Sequence, residues 1–486
     1  MKEKKIVTNI IYSMIIQLSA IIAPLITAPY VARVLNADLI GKYSFTYANS
    51  NYFAMFESLG LTLYGMILVA RERDNLKSRS VIFWEITILK MLLTIIATAV
   101  FIVVFIFNGE IEYRKLYLIM LFNLLAVGVD STWFLSGIEE FKVIARRTLL
   151  VRTTNVVLIL MFVKSSNDLI VYALIMQLST FISYLAIIPE IKKYVEFVSI
   201  RSIRINKYFK PAIIYFIPGF ITTLFSSTDK TILGMASTDY EVGVYEQAYK
   251  ICQLLTGTIS GISNVLLPRA AYLNNGKAAA DKAKSLFNVS IRVAVMCSAP
   301  ICFGTAAISD AFVPLFFGPG YEKSSILLKI LCINVFFISL CNFFGQQALM
   351  AKGKQREYNI AISISVIVNI ILNIALVHNS QSVGVSYASA VSAVLEFALI
   401  YYFGKEMMRI NELTAYCIKY IIAGIIMFIG IWRIKFANDM ITVVIQIGTG
   451  CVIYCASLFL LRDELLLQIV NGLRAKRVKI KDDFLI

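Results

Sequence analysis

Charged side chains are scarce in this chain: of its 486 residues only 16% are charged, whereas 59% are hydrophobic. Soluble domains average about 25% charged residues, so this composition excludes a soluble globular protein and indicates a membrane protein with many spans. The net charge of +16 would suit a nucleic-acid-binding protein, but in a membrane protein it is better explained by basic cytoplasmic loops that contact anionic lipids. We therefore expect membrane lipids as partners and no nucleic acid.

Histidine is rare in this chain, and closely spaced cysteine pairs and glycine-rich phosphate-binding loops are absent. His378 is the single histidine, and none of the eight cysteines belongs to a C-x-x-C sequence. These absences leave no candidate metal ligands and no candidate catalytic residues, and we expect the cysteines to pack as small apolar side chains. Because no G-x-x-x-x-G-K-[ST] sequence occurs, ATP hydrolysis by this chain is excluded and no cofactor is predicted.

What the chain does have is a series of apolar runs of about 20 residues, the length that crosses a bilayer. They recur about fourteen times. If the N-terminus is placed inside, most Lys and Arg residues fall on that same side, and the positive-inside rule then predicts that both termini are cytoplasmic. The runs discussed below are the first and second (10–30 and 44–69), the fifth (147–164), the eighth (243–268), and the eleventh and twelfth (358–377 and 383–403).

A short repeat suggests that the chain contains two equivalent halves. The pattern G-x-Y-x-x-x-Y opens the second run at Gly41 and opens the eighth run, six runs later, at Gly243. Because six is an even number, the halves would have the same orientation and be related by an axis along the membrane normal. The predicted organisation is an N-terminal lobe over 1–190, a cytoplasmic amphipathic linker, expected to be an interfacial helix, over 191–210, a C-terminal lobe over 211–404, two more helices over 405–461 and a basic cytoplasmic tail over 462–486.

The segment from Ser226 to Lys250 places four charges inside two neighbouring apolar runs, namely Asp229, Lys230, Glu246 and Lys250. Charges within the membrane are costly, so they usually face a wet interior and mark functional sites. The alternative is that these four residues pair with one another and only hold two helices together. The i, i+4 spacing of Glu246 and Lys250 favours that alternative, so both interpretations stay open.

Several further motifs are spread over nearly the whole chain. They are LITAPYVARVLNADLIGKYSF (Leu25–Phe45), Trp133 with Gly137-Ile-Glu139, DKTILG from Asp229, VLLPR (Val265–Arg269), FGPGYEKS (Phe317–Ser324), and Asn369 with Asn373. Together they resemble the motifs of Wzx-type polysaccharide flippases, which belong to the multidrug/oligosaccharidyl-lipid/polysaccharide exporter superfamily. At Asn36-Ala37 the chain departs from that family, whose members commonly place Gly followed by a small residue or Pro there.

The resemblance implies an all-α polytopic membrane protein with two pseudo-symmetric six-helix lobes around a central cavity, plus two C-terminal helices. It implies a transporter and not an enzyme. The expected activity is translocation of an undecaprenyl-pyrophosphate-linked oligosaccharide from the inner to the outer leaflet of the bacterial cytoplasmic membrane, by alternating access, for O-antigen or other surface polysaccharide. The expected partners are that lipid-linked oligosaccharide, a glycan polymerase and a chain-length regulator.

Two other functions stay open at this point. A cation-coupled drug exporter of the same superfamily would need an acidic or apolar pocket and no cavity cations. A membrane-embedded glycan polymerase or acyltransferase would need catalytic residues in sizeable outer loops, whereas the outer loops here are short.

A diphosphate headgroup cannot dissolve in hydrocarbon, so its passage requires a wet cavity with cationic walls. A coupling H+ or Na+ gradient would require an acid there. Alternative roles are an interface anchor for Arg33, a pair between Lys90 and Asp130, and a pair between Glu57 and Lys250. Arg152 and other charges near span ends are interpreted as snorkelling to the interface. The candidate substrate-binding residues are Arg33, Lys230, Lys250 and Lys90, and the candidate coupling or cavity acids are Glu57, Asp229, Glu246 and Asp130.

Overall fold

The computed structural model describes residues 2–199, 203–272, 277–408 and 410–467, and every element of regular structure in those ranges is helical. This confirms the predicted all-α fold class, as expected for apolar segments that must satisfy their backbone hydrogen bonds internally. The α-helices are α1 (Lys2–Ser58), α2 (Leu61–Arg71), α3 (Leu76–Phe101), α4 (Arg114–Val129), α5 (Thr132–Gly137), α6 (Phe141–Phe162), α7 (Leu169–Leu185), α8 (Ile188–Ile191), α9 (Asn206–Ala236), α10 (Asp239–Tyr272), α11 (Lys277–Phe317), α12 (Glu322–Phe344), α13 (Gln355–Gly404), α14 (Ile410–Ile431) and α15 (Asp439–Leu460).

Within the described residues, ten helical segments are long and apolar enough to cross a bilayer. Two of them, Met14–Arg71 and Gln355–Gly404, each cover two predicted spans. The predicted fifth and eighth spans correspond to α6 and α10, which are not among the ten. The protein is therefore a multi-pass membrane protein, and the number of fourteen spans stays a prediction.

The first of these double segments bends at Asn36, between the predicted first and second spans. Asn36 has φ 62° and ψ 174°, and its side-chain oxygen accepts a hydrogen bond from the backbone N–H of Leu39 at 3.1 Å. Positive φ is uncommon outside glycine, but asparagine tolerates it better than most residues and is also a good helix N-cap. This explains why the chain can use asparagine where the resembling family commonly has glycine. Gln381, with φ 47°, bends α13 in a similar way.

The two repeats meet where α1 crosses α10. A methyl group added at Gly41 would overlap the carbonyl oxygen of Asp239, and one added at Gly243 would overlap the carbonyl oxygen of Ala37. Gly41 thus contacts the backbone of Asp239, four residues before Gly243, and Gly243 contacts the backbone of Ala37, four residues before Gly41. Such reciprocal contacts are those of two equivalent segments related by an approximate two-fold axis, and they depend on the absence of a side chain at both positions.

Internal contacts divide the chain into two compact units. Unit 1 comprises Met1–Gln247, Phe317–Gly320 and Val366–Val385, and unit 2 comprises Ala248–Phe316, Tyr321–Ser365 and Ser386–Ile486. Most of the charged residues singled out in the sequence belong to unit 1. The predicted lobe boundaries stay a prediction.

The segment after α8 corrects the expectation of an amphipathic helix. Residues 195–199 and 203–204 are not helical, and 200–202 lie outside the described residues, as does the predicted tail from 468 onwards. Side chains of α3 bond the backbone instead: Trp84 Nε1 donates to the Glu196 carbonyl at 3.0 Å, and Glu85 Oε1 accepts from the Arg204 N–H at 2.8 Å. Glu85 also pairs with Lys207 at 2.9 Å. These bonds satisfy backbone groups that have no helical partner.

Candidate functional site

The charged segment found in the sequence forms the end of α9 and the beginning of α10. Asp229, only 2% exposed, accepts hydrogen bonds from the Tyr245 hydroxyl and, at 2.6 Å, from Asn373 Nδ2. Asn373 also donates to Asn369 Oδ1 at 3.1 Å. A buried carboxylate is tolerated when it is hydrogen-bonded in this way. The two asparagines, quoted above for their family resemblance, therefore belong to the immediate surroundings of Asp229.

Lys230 and Glu246 form an ion pair between α9 and α10. Their charged atoms are 3.1 Å apart, and their side chains are 10% and 12% exposed. Part of the pairing alternative raised by the sequence is therefore present in the structure. Lys250, one turn further along α10, is half-buried and belongs to unit 2. The assignment of Lys230 and Lys250 to substrate binding stays a prediction.

A ladder of uncharged polar side chains connects α1 and α9, and the sequence reasoning missed it. The Tyr52 hydroxyl bonds to Thr228 at 3.3 Å and to Thr231 at 3.2 Å. Thr231 donates to Asn49 Oδ1 at 3.0 Å, and Asn49 donates to the Tyr117 hydroxyl of α4 at 2.9 Å. The i, i+3 spacing of Asn49 and Tyr52 inside an apolar run was the signal that could have revealed one polar face.

A second charged group connects α1, α3 and the end of α4. Glu57 is fully buried; its Oε2 accepts a 3.4 Å hydrogen bond from Thr94, and its Oε1 has no hydrogen-bond partner among the described residues. Lys90 Nζ donates to the backbone oxygen of Asp130 at 2.8 Å. The Asp130 carboxylate accepts two bonds from Thr132, the first residue of α5, at 2.6 and 2.8 Å. The predicted Lys90–Asp130 proximity is thus present, with the backbone oxygen as the acceptor.

Arg33 lies elsewhere in unit 1, at the predicted outer end of the first span. It is exposed, and its Cγ would lie 3.0 Å from a methyl group added at Gly318. Gly318 has φ 91° and belongs to the FGPG sequence that carried part of the family resemblance. Two of the motifs that carry the family resemblance, far apart in the sequence, are therefore in contact in the structure.

Among the described residues, no group of three His, Cys, Asp or Glu side chains could hold a metal ion. Asp229 nevertheless offers carboxylate oxygens, the ligands that hard cations prefer, although Asn373 directs its amide nitrogen towards them.

Comparison with known proteins adds to these observations. The family model described as "Polysaccharide biosynthesis protein" matches residues 6–273. A relative from Escherichia coli (strain K12), named "Putative O-antigen transporter", is 24% identical over 408 residues, which are 81% of this chain and 95% of that protein.

Two solved structures have the same fold. One is "Lipid II flippase MurJ, inward closed conformation", with a TM-score of 0.65 and 16% identity over 94% of this chain and 100% of that one. The other is an inward-facing multidrug resistance MATE family transporter of the MOP superfamily, with a TM-score of 0.62 and 14% identity over 84% of this chain and 99% of that one. These are all transporters, in agreement with the predicted class. Since the family match spans more than half of its residues, the chain belongs to the polysaccharide biosynthesis protein family, and its resemblance to Wzx-type flippases of the multidrug/oligosaccharidyl-lipid/polysaccharide exporter superfamily is confirmed.

Proposed function

We propose that this protein moves an undecaprenyl-pyrophosphate-linked oligosaccharide from the inner to the outer leaflet of the bacterial cytoplasmic membrane, for the synthesis of O-antigen or another surface polysaccharide. The family match and the O-antigen transporter relative support the substrate class, and the flippase fold supports the reaction. A glycan polymerase and a chain-length regulator are the proposed partners after translocation, and both termini are proposed to be cytoplasmic.

The observation that carries this proposal is the charge buried in unit 1. Taking a carboxylate or ammonium out of water costs several kcal/mol per ion, and a buried pair seldom stabilises a fold better than apolar side chains of similar size. Asp229, Lys230 and Glu246 are therefore poorly explained as a way to hold α9 against α10. They are well explained if this region becomes hydrated and meets a charged headgroup during the transport cycle.

Alternating access supplies a route for that hydration. The reciprocal crossing at Gly41 and Gly243 joins α1 to α10, and the Tyr52–Thr231 ladder joins α1 to α9; we propose that both hold one end of unit 1 closed. We take this end to be the outer one, following the predicted topology. Its ladder consists of hydrogen bonds between neutral groups, which water can replace at a small net cost when the end opens.

We further propose that a coupling H+ or Na+ acts at Asp229. A proton on this buried carboxylate would remove the cost of its charge. A sodium ion would need the Asn373 amide, which donates to Asp229 in this structure, to turn its oxygen towards the ion. Glu57 is the alternative acid, with a free Oε1 but without comparable amide neighbours.

The test is a leaflet assay on the full chain reconstituted in liposomes. A fluorescent undecaprenyl-pyrophosphate-linked oligosaccharide is loaded, and the fraction accessible to an impermeant quencher is followed with and without an ion gradient. We expect accessibility to exceed that in protein-free liposomes, and we expect Lys250→Ala to abolish the gain while leaving insertion intact. Transport of an organic cation without movement of the glycolipid would instead support the drug-exporter alternative.

A further inference from the structure

Unit 1 contains a cavity of about 340 Å³ that the proposed mechanism does not use. It lies between the first half of α1, the middle of α6 and the second half of α7. Its volume falls within the range of about 300–1,000 Å³ that is typical of small-molecule sites. Its polar lining includes Thr27, Arg147, Arg152, Asn155, Thr180 and Tyr184.

The charge of this lining has one sign. Two arginines face the cavity, and no Asp or Glu is among the residues that line it. Asp130 acts on Arg147 electrostatically, but one of its carboxylate oxygens already accepts two bonds from Thr132. Because a guanidinium stays charged at every physiological pH, the cavity presents a permanent positive charge.

Arg147 has buried donors that no described residue accepts from. Its guanidinium lies 4.8 Å from the centre of the Tyr184 ring. Its Nε and Nη1 atoms are buried and have no hydrogen-bond partner among the described residues. Leaving buried donors unpaired is costly, and the cost is removed if an anion accepts from them. The buried Oδ1 of Asn155 likewise lacks a partner in the described part of the chain.

Arg152 is oriented towards the same cavity by α1. Its Nη1 donates to the Ile16 carbonyl at 2.6 Å and to the Ser19 hydroxyl. Arg152, interpreted from the sequence as snorkelling to the interface, is thus bonded to α1; its depth in the membrane stays a prediction. These bonds fix the planar group through Nη1, and no bond of Nε or Nη2 is found within the described part of the chain. A fixed guanidinium fork suits the oxygens of a phosphate group.

Apolar side chains flank the cavity on the outside of the helices. On α1, Leu18 and Ile22 are 55% and 53% exposed, and on α6 Leu150 is 63% exposed. In a membrane protein such surfaces contact hydrocarbon chains. A ligand with a phosphate headgroup and a long hydrocarbon chain would therefore match both parts of the site.

We propose that this cavity binds the phosphate or diphosphate group of a lipid, with Arg147 and Arg152 as the phosphate ligands and the hydrocarbon chain along α1 and α6. The lipid is either a polyprenyl diphosphate or an anionic phospholipid. The first source rests on the proposed function, in which this lipid carries the glycan, and would make the cavity a second binding position for the substrate. The second source would make it a regulatory lipid site.

The test measures equilibrium binding to the purified full chain in nanodiscs of phosphatidylcholine, with a short polyprenyl diphosphate and phosphatidylglycerol as separate probes. We expect Arg147→Gln and Arg152→Gln each to weaken the binding of at least one probe by about tenfold or more, since each removes charge-assisted hydrogen bonds. The matched control is Arg146→Gln, at the exposed neighbouring position of α6, which should bind as the wild type does. Wild-type affinity of Arg147→Gln for both probes, or an equal loss in Arg146→Gln, overturns the proposal.

A second variant guards against misfolding. Ala23→Leu keeps both arginines and fills the cavity from α1, so it should also lose binding; if it binds both probes normally, the cavity is not the site.

The two probes separate the two sources, because only the true ligand should respond to the arginine variants. The leaflet assay on the wild type is read separately. Glycolipid movement without binding here contradicts this inference alone, whereas binding here without movement contradicts the proposed function alone.

Discussion

Two charged regions of unit 1 differ in whether their charged side chains have partners among the described residues. In the first, which we call the paired group, Lys230 and Glu246 neutralise one another and Asp229 is enclosed by hydrogen-bond donors. In the second, the arginine cavity between α1, α6 and α7, Arg147 has buried donors that no described residue accepts from. In the proposed cycle the charges of the paired group act when this region opens to water, whereas those of the arginine cavity act when a ligand fills it.

The largest effect is expected from a substitution that breaks the paired group. Lys230→Ala leaves Glu246 buried without this counterion, and we expect the free energy of unfolding to fall by about 3–5 kcal/mol. The double variant Lys230→Met/Glu246→Leu removes both charges and should recover most of this loss, although glycolipid movement should stay low. Thermal unfolding in a single detergent compares the three proteins. A double variant as unstable as Lys230→Ala would show that the loss has another source.

The next effect concerns the helix crossing beside the paired group. Gly243→Ala places a methyl group on the Ala37 carbonyl, and because backbone cannot step aside easily, we expect a loss of about 1–3 kcal/mol. Gly257→Ala, in the same helix but with no atom within 4 Å of the added methyl group, should instead gain about 0.5–1 kcal/mol from helix propensity. Unfolding midpoints of the two variants measure the difference, and equal shifts would mean that the close crossing is absent in the folded protein.

A smaller effect of opposite sign is expected in the arginine cavity. Arg147→Met removes a charge whose donors are unpaired, so we expect the empty protein to become more stable by about 1 kcal/mol. The same substitution should prevent stabilisation by added polyprenyl diphosphate or phosphatidylglycerol. Unfolding midpoints with and without lipid provide both readouts. A loss of stability as large as that of Lys230→Ala would mean that the protein itself holds this guanidinium.

The smallest effect distinguishes the two regions by salt. Raising the ionic strength from about 0.1 M to about 1 M shortens the screening length from about 10 Å to about 3 Å. Lipid binding at the accessible arginine cavity should weaken several-fold, whereas the coupling energy between Lys230 and Glu246, from a double-mutant cycle, should change little. If salt weakens the Lys230–Glu246 coupling as much as it weakens lipid binding, the paired group is not enclosed and the arginine cavity is not the more accessible of the two.

The sequence predicted the paired group because acids and bases inside an apolar run are conspicuous. Asp229, Lys230 and Glu246 were all identified, and the pairing alternative anticipated the Lys230–Glu246 contact. Their hydrogen-bond partners could not be predicted from the sequence, since Asn373 lies in a helix more than a hundred residues further along the chain. Asn369 and Asn373 entered only through family resemblance.

The arginine cavity was missed for a physical reason. Basic residues near the beginning of a span are first explained by membrane topology. Arg147 is the first residue of the predicted fifth span, and Arg152 was assigned to snorkelling. Nothing in the spacing shows that both face α1 and α7. The fold class followed from span length and hydropathy, whereas the non-helical backbone after α8 did not, because α3 side chains from a distant part of the sequence bond to it.

The reciprocal contact of Gly41 with Asp239 and of Gly243 with Ala37 has a consequence for the proposed transport cycle. Both halves of the contact are main chain on main chain, so a rotamer change cannot release one while the other holds. If α1 and α10 separate here during transport, we expect both contacts to break together.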